Sequence, residues 1–140
     1  MEPGYTLVPT NPAVEDYLRL RLESGLTPKT RRQAEASVLG AWAAVHAVET
    51  ATGATVGMAR LISDGGWYFH VIDVVVLPPH QRRGIADAML THLLGLVRAT
   101  AEPGAYVSLM ADAPGRRLYA RHGFTDSAPE SVGMVQVLTG

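Results

Sequence analysis

VVVLPPHQRRGIADAML, residues 74–90, joins an apolar run to an amphipathic segment through a basic turn. Residues 74–77 are apolar at four consecutive positions, which is typical of a strand buried on both faces and predicts a central strand. From Ile85 the apolar residues recur every three or four positions, as they do along one face of a helix. The stretch therefore predicts a buried strand, a turn at residues 81–84 and a helix that packs on the sheet.

The turn lacks the Ser, Thr, Asp or Asn that usually caps a helix. Its four residues are instead Gln81, Arg82, Arg83 and Gly84. Uncapped N–H groups at a helix N-terminus attract phosphates, and glycine lets a ligand approach the backbone. A solvated surface turn could have the same residues, so the turn by itself leaves both interpretations open. The GxGxxG and GxxxxGK[ST] motifs are absent, and Lys29 is the only lysine in the chain.

The composition limits the class of protein. With 140 residues the chain is long enough for one domain, which we place at residues 1–140. A hydrophobic fraction of 47% and a charged fraction of 18% are typical of soluble globular proteins. A net charge of −1 argues against nucleic-acid partners, and no apolar run approaches the ~20 residues of a membrane span. Without cysteine, a thiol nucleophile or Cys-based metal site is excluded, and we expect a cytoplasmic protein without membrane or metal.

Helix and strand patterns alternate along the whole chain. Helices are predicted at about residues 12–24, capped by Asn11, at 27–39, capped by Thr27, from Ile85 to the AEPG segment, and within residues 112–123. Strands are predicted at residues 5–8, 42–49, 54–62, 67–77, 106–110 and 132–138. This order predicts a mixed α/β sheet with helices packed on it.

Three sequence features occur in the order and at the spacing typical of one family. Gln81, Gly84 and Ala86 match the signature Gln/Arg-x-x-Gly-x-Gly/Ala, a strand follows about 20 residues later, and the next helix has Leu-Tyr-x-x-x-Gly-Phe at residues 118–124. Over residues 54–138 the chain resembles the GNAT superfamily of acyl-CoA-dependent N-acyltransferases. The resemblance implies a mixed, mostly antiparallel sheet of six to seven strands, flanked by about four helices and splayed between strands 4 and 5.

The resemblance also implies where acetyl-CoA would bind. The turn would hold the pyrophosphate, and the fourth strand would pair with the pantetheine arm. The residues so implicated are Val74, Val75, Val76, Gln81, Arg82, Arg83, Gly84, Ile85, Ala86, Asp87, Asp112 and Tyr119. At position 112 the family usually has Asn; Asp keeps the acceptor that caps the helix but loses the amide donor.

Two catalytic roles follow from the same resemblance. Tyr119 would be the general acid that protonates the departing thiolate; the alternative is a tyrosine that only packs in a core. Asp73, in the apolar run VIDVVV, is the predicted base, with His70 as a second candidate. A carboxylate satisfied by local hydrogen bonds is the alternative for Asp73.

The predicted function is direct transfer of an acetyl group from acetyl-CoA to a primary amine of a small molecule. Without cysteine no thiol can carry the acetyl group, which favours a ternary complex. The loops at residues 23–30 and 128–134 would border the acceptor. Three alternatives stay open: a protein lysine or N-terminal acetyltransferase, a CoA-binding sensor without turnover, and, against the charge balance, a nucleic-acid-binding protein. Exposed sheet edges would allow a homodimer.

Overall fold

All 140 residues are described in the computed structural model of the chain. The chain divides into two compact units, Met1–Leu109 and Met110–Gly140, which are described separately below. None of the helices has the length and apolar character needed to cross a membrane.

The first unit is built on one five-stranded sheet. Its strands are β1 (Tyr5–Val8), β2 (Ala43–Glu49), β3 (Thr55–Ser63), β4 (Tyr68–Val76) and β5 (Tyr106–Leu109). The spatial order is β1-β2-β3-β4-β5, with β4 and β5 parallel and all other neighbours antiparallel. The mixed, mostly antiparallel sheet is confirmed, but the expected count of six to seven strands is wrong. The run predicted as central is the fourth strand of five, and the middle strand is β3.

Three helices complete the first unit: α1 (Val14–Glu23), α2 (Arg31–Gly40) and α3 (Ile85–Thr100). The predicted caps of the first two are wrong. Thr30, not Thr27, caps α2, because its hydroxyl accepts from the Gln33 N–H while the Gln33 side chain accepts from the Thr30 N–H. Helix α1 has no side-chain cap, and the Asn11 amide donates to the Val38 carbonyl oxygen instead.

The core of the first unit lies on both faces of β3. Met58 belongs to a buried cluster with Tyr17 and Leu20 of α1. A Cβ on the neighbouring Gly57 would lie 3.4 Å from the Met89 Cε atom of α3. Since successive strand residues point to opposite faces, α1 and α3 cover opposite faces of the sheet. The burial of β3 from Thr55 to Leu61 follows from this double cover.

The second unit contains a 3-10 turn, Ala113–Gly115, and the helix α4 (Arg116–Arg121). The strand predicted at residues 132–138 is wrong, because these residues form neither helix nor strand. Their large apolar side chains are all at least 65% exposed. A β-prone sequence becomes a strand only where another strand supplies backbone hydrogen bonds, and this segment has no such partner.

Candidate functional site

Strand β4 contains a bulge at Asp73. Its Ile72 pairs with Arg60 and its Val75 with Met58, so three steps along β4 match two steps along β3. Asp73 has φ +52°, a left-handed conformation that Asp tolerates better than most residues do. The extra residue turns Val75 into the α1 cluster. The bulge therefore shifts the alternation of side chains along β4 by one residue.

The pairing of β4 with β5 stops just before the bulge. Four residue pairs join the strands, from Tyr68 with Tyr106 to Val71 with Leu109. Beyond Val71, residues 72–76 have β3 on one side and, within the first unit, no strand on the other. Backbone groups on that open side are available to an extended ligand with amide groups. This is the geometry expected of the segment predicted to bind the pantetheine arm, residues 74–76.

The turn after β4 leads into α3 without a side-chain cap. A 3-10 turn at Pro78–His80 comes first, and the Gln81 Nε2 atom donates to the Val76 carbonyl oxygen over 3.0 Å. Gly84 is the N-cap residue with φ +77°, and no side chain bonds the first N–H groups of α3. Residues 81–84 are exposed, Ile85 is buried and Ala86 is partly buried. The turn can therefore present backbone N–H groups to an anion.

The start of the chain lies against this turn, which the sequence did not indicate. The Glu2 N–H donates to the Arg83 carbonyl oxygen over 2.8 Å, and the Glu2 carboxylate lies 3.7 Å from the Arg83 guanidinium. A Cβ on Gly84 would lie 3.0 Å from the Met1 backbone. Both its positive φ and this close approach favour glycine at position 84.

Asp73 is at the centre of a buried ion-pair cluster. Its Oδ2 atom accepts from the Tyr17 hydroxyl at 2.8 Å and from Nε and Nη2 of Arg60 at 3.0 and 2.9 Å, and its Oδ1 atom accepts from Arg21 Nη1 at 2.5 Å. The Arg60 side chain is 3% exposed and that of Asp73 is 8% exposed. Both carboxylate oxygens are thus occupied by protein donors, which opposes the predicted role of Asp73 as a base.

The cluster also ties the helices to the sheet. Arg60 Nη1 donates to the Ser37 carbonyl oxygen, and Arg21 donates twice to that of Thr27. Burial raises the pKa of Tyr17, and its hydrogen bond to Asp73 raises it further, so the phenol stays a donor. The residues predicted for the site did not include Tyr17, Arg21 or Arg60. One signal was available, since Arg60 and Asp73 are opposite charges in apolar runs of two adjacent strands.

A second polar group lies where β4 is still paired with β5. His70 faces Ser108 across the strands, with 2.7 Å between the His70 Nδ1 and Ser108 Oγ atoms. The Tyr68 hydroxyl lies 3.0 Å from the same Oγ atom. Burial lowers the pKa of His70, so its imidazole is neutral at pH 7. The sequence named His70 but not Ser108, because the register of parallel strands is not visible in it.

Tyr119 is partly buried on α4 in the second unit. Its ring packs edge-on against Phe124, with 6.2 Å between centroids. Burial raises the pKa of Tyr119, and the charge of Asp112 raises it further, so the phenol is protonated at neutral pH. A Cβ on Gly115 would lie 2.7 Å from the Tyr119 ring, so glycine makes room for it. The predicted cap by Asp112 is wrong, because its side chain makes no capping hydrogen bond.

The chain is similar in sequence and in structure to known proteins. The family model described as "Acetyltransferase (GNAT) domain" matches residues 41–126. A protein of unknown function from meticillin-resistant Staphylococcus aureus, described as a probable acetyltransferase, is 32% identical over 96% of this chain and 99% of its own, with a TM-score of 0.90. No curated protein matches the sequence.

Two further solved structures share the fold. A GNAT-family acetyltransferase from Streptococcus pneumoniae is 24% identical over 97% of this chain and 99% of its own, with a TM-score of 0.78. The ribosomal-protein-S18-alanine N-acetyltransferase from Escherichia coli is 15% identical over 89% of this chain and 79% of its own, with a TM-score of 0.71. Together with the family match and the 32% identity, these findings show that the chain belongs to the GNAT acetyltransferase family.

Proposed function

We propose that this protein transfers an acetyl group from acetyl-CoA to a primary amine, and that the amine belongs to a small molecule. One observation carries the proposal: the open side of β4, at residues 72–76, leads directly into a turn whose helix has no side-chain cap. An extended amide-bearing arm that ends in a diphosphate requires such a pair of features.

The residues of the turn fit a diphosphate. Arg82 and Arg83 add positive charge that does not titrate near neutral pH, and Gly84 has no side chain to cover the N–H groups of α3. Gln81 holds the Val76 carbonyl oxygen and so fixes the junction between strand and turn. In this proposal residues 82–87 surround the pyrophosphate and residues 74–76 bind the pantetheine arm.

The chemistry requires an acid and a route for a proton. Attack of an uncharged amine on the thioester carbonyl expels a thiolate. Tyr119 is the proposed acid, because its raised pKa keeps the phenol protonated at neutral pH, so that it has a proton to donate to the departing sulfur. The sequence predicted Asp73 as the base, but its contacts with Arg21, Arg60 and Tyr17 favour a positioning role instead.

The proposal specifies a small molecule, rather than a protein, as the acceptor. A near-neutral chain without an acidic tract offers no charged surface for a basic protein substrate, which favours a small amine. The Escherichia coli protein acts on a protein alanine, but at 15% identity it shares only the fold with this chain. Acetylation of a protein lysine or N-terminus is therefore an alternative outcome of the test.

The test is a panel of amines, including small molecules and peptides, with acetyl-CoA and detection of the released thiol. We expect turnover with a small amine, and we expect Tyr119→Phe to lower kcat about 100-fold without changing the Kd for acetyl-CoA. The control is Tyr106→Phe, because Tyr106 is 48% exposed and its hydroxyl makes no hydrogen bond in the protein. Acetyl-CoA binding without thiol release for any acceptor would show a sensor rather than an enzyme.

A further inference from the structure

We propose that His70, oriented by Ser108 and Tyr68, is the base that takes the proton from the acceptor ammonium. This inference rests on the proposed acetyl transfer and names a residue for a step that the transfer requires. It assigns a catalytic role to His70 and positioning roles to Ser108 and Tyr68, all of which lie in the first unit.

The hydrogen bonds of His70 leave one ring nitrogen open. Nδ1 contacts the Ser108 Oγ atom at 2.7 Å, and the hydrogen bond of the ring does not involve Nε2. The ring is partly exposed, so a ligand can reach it. A neutral imidazole with an unused nitrogen at a partly exposed position can accept a proton from a substrate.

The three-residue chain of hydrogen bonds can run in two directions. Ser108 has a single hydroxyl hydrogen, and its oxygen lies within hydrogen-bond distance of both His70 and Tyr68. If Ser108 donates to His70, the ring proton is on Nε2 and that atom cannot accept. If Nδ1–H donates to Ser108, and Ser108 donates to the Tyr68 oxygen, Nε2 keeps its lone pair. Only this second direction is retained when Nε2 gains a proton, because Nδ1–H remains a donor in the imidazolium.

The position of His70 in the strand matches the place where the reacting group would lie. A coenzyme held at the turn and laid along residues 76 to 74 has its thioester end directed toward Ile72. Ile72 is the last residue on the open side of β4, because its neighbour Val71 is already paired with Leu109 of β5. His70 is two residues from Ile72, which is about 7 Å along a strand.

The electrostatic surroundings keep His70 uncharged. Burial lowers its pKa, and no charged neighbour offsets that effect. The residue opposite it on β3 is the apolar Ile62, and the one on β5 is Ser108. The charged and titratable groups on the elements packed nearby are Tyr106 on β5, which stacks on Tyr68, and the paired set Arg60, Asp73, Arg21 and Tyr17 on β3, β4 and α1.

The step balances in protons and electrons. Neutral Nε2 of His70 takes one proton from the ammonium, and the freed lone pair on nitrogen attacks the acetyl carbonyl. The new C–N bond forms as the C–S bond breaks, and sulfur leaves with the bonding pair. The proton that nitrogen loses on becoming an amide balances the proton that sulfur gains.

The experiment measures kcat/KM against pH for the full chain and for His70→Gln. The wild type should show an acidic limb with an apparent pKa below the ordinary histidine value, because His70 must be neutral. His70→Gln should lose at least 100-fold in kcat and lose that limb, with the Kd for acetyl-CoA within twofold. The matched control is His46→Gln on β2, where Nδ1 of His46 bonds the Thr10 carbonyl oxygen. This control should change neither kcat nor the acidic limb. An unchanged limb in His70→Gln would overturn the inference.

Ser108 variants separate a positioning role from a purely structural one. Ser108→Ala should move the acidic limb to lower pH, because the imidazolium loses an acceptor for Nδ1–H, and Ser108→Thr should restore it. Nitrogen-15 NMR of the wild type should show the Nδ1–H tautomer of His70; the Nε2–H tautomer would contradict the inference even without turnover. Absence of turnover with every amine would instead overturn the proposed function.

Discussion

The two ends of β4 differ in what borders them. From Phe69 to Val71 the strand lies between β3 and β5, so strand neighbours satisfy its backbone on both sides. From Ile72 to Val76 only β3 is present, and the strand contains a bulge with a left-handed Asp73. The paired end can place side chains in a hydrogen-bonded row, as His70 and Ser108 show.

The open end is stabilised by side chains where the paired end has a strand. Asp73 ties the bulge to Arg60, Arg21 and Tyr17, and Gln81 binds the carbonyl oxygen of Val76. A strand with one neighbour would otherwise fray, so these contacts keep its backbone in place for a ligand. The comparison indicates that the open end is maintained by specific residues, and three substitutions test this.

The largest effect is expected from Asp73→Asn. Asn tolerates the left-handed φ, but the change removes the charge that compensates the buried Arg60. Loss of one partner of a buried ion pair costs about 3 kcal/mol, so the free energy of unfolding should fall by that amount in urea denaturation. The control is Asp16→Asn, whose ion pair with Arg19 is at the surface and should contribute less than about 1 kcal/mol. Equal losses in the two variants would show that the cluster does not hold the bulge.

The second prediction concerns the turn that follows the open end. Gly84→Val should raise the Kd for acetyl-CoA at least tenfold, about 1.4 kcal/mol, because a side chain would cover the N–H groups of α3. Isothermal titration calorimetry measures this Kd. Gly65→Val is the matched control, since Gly65 has the same φ of +77° in the hairpin before β4 and open space around it. If both variants bind acetyl-CoA equally, the turn does not hold the diphosphate.

The smallest effect is expected from Gln81→Ala. The variant loses one exposed hydrogen bond, from Nε2 to the Val76 carbonyl oxygen, and such a bond contributes about 1 kcal/mol. The Kd for acetyl-CoA should therefore rise about fivefold, with the free energy of unfolding changed by less than about 1 kcal/mol. A loss of stability as large as that of Asp73→Asn would show that Gln81 supports the fold rather than the binding geometry.

Much of the fold was predictable because its signals are local. The five strands and the helix after QRRG lie within a residue or two of their predicted bounds, and α3 ends at Thr100, directly before the AEPG segment that was predicted to end it. The failed predictions have different causes. The cap of α2 is set by a local pair, Thr30 and Gln33, which was passed over in favour of Thr27. The segment 132–138 needed a distant partner strand that it does not have.

For the candidate site, too, the residues with a local sequence pattern were predictable and those placed by distant contacts were not. The sequence by itself determined the turn, its glycine and the tyrosine motif, since each is a short pattern with a local physical meaning. Only the tertiary structure decided that Asp73 is occupied by Arg60, Arg21 and Tyr17, and that Ser108 lies beside His70. Those pairs join residues 13 to 56 positions apart, so strand register and helix packing, which no local pattern encodes, bring them together.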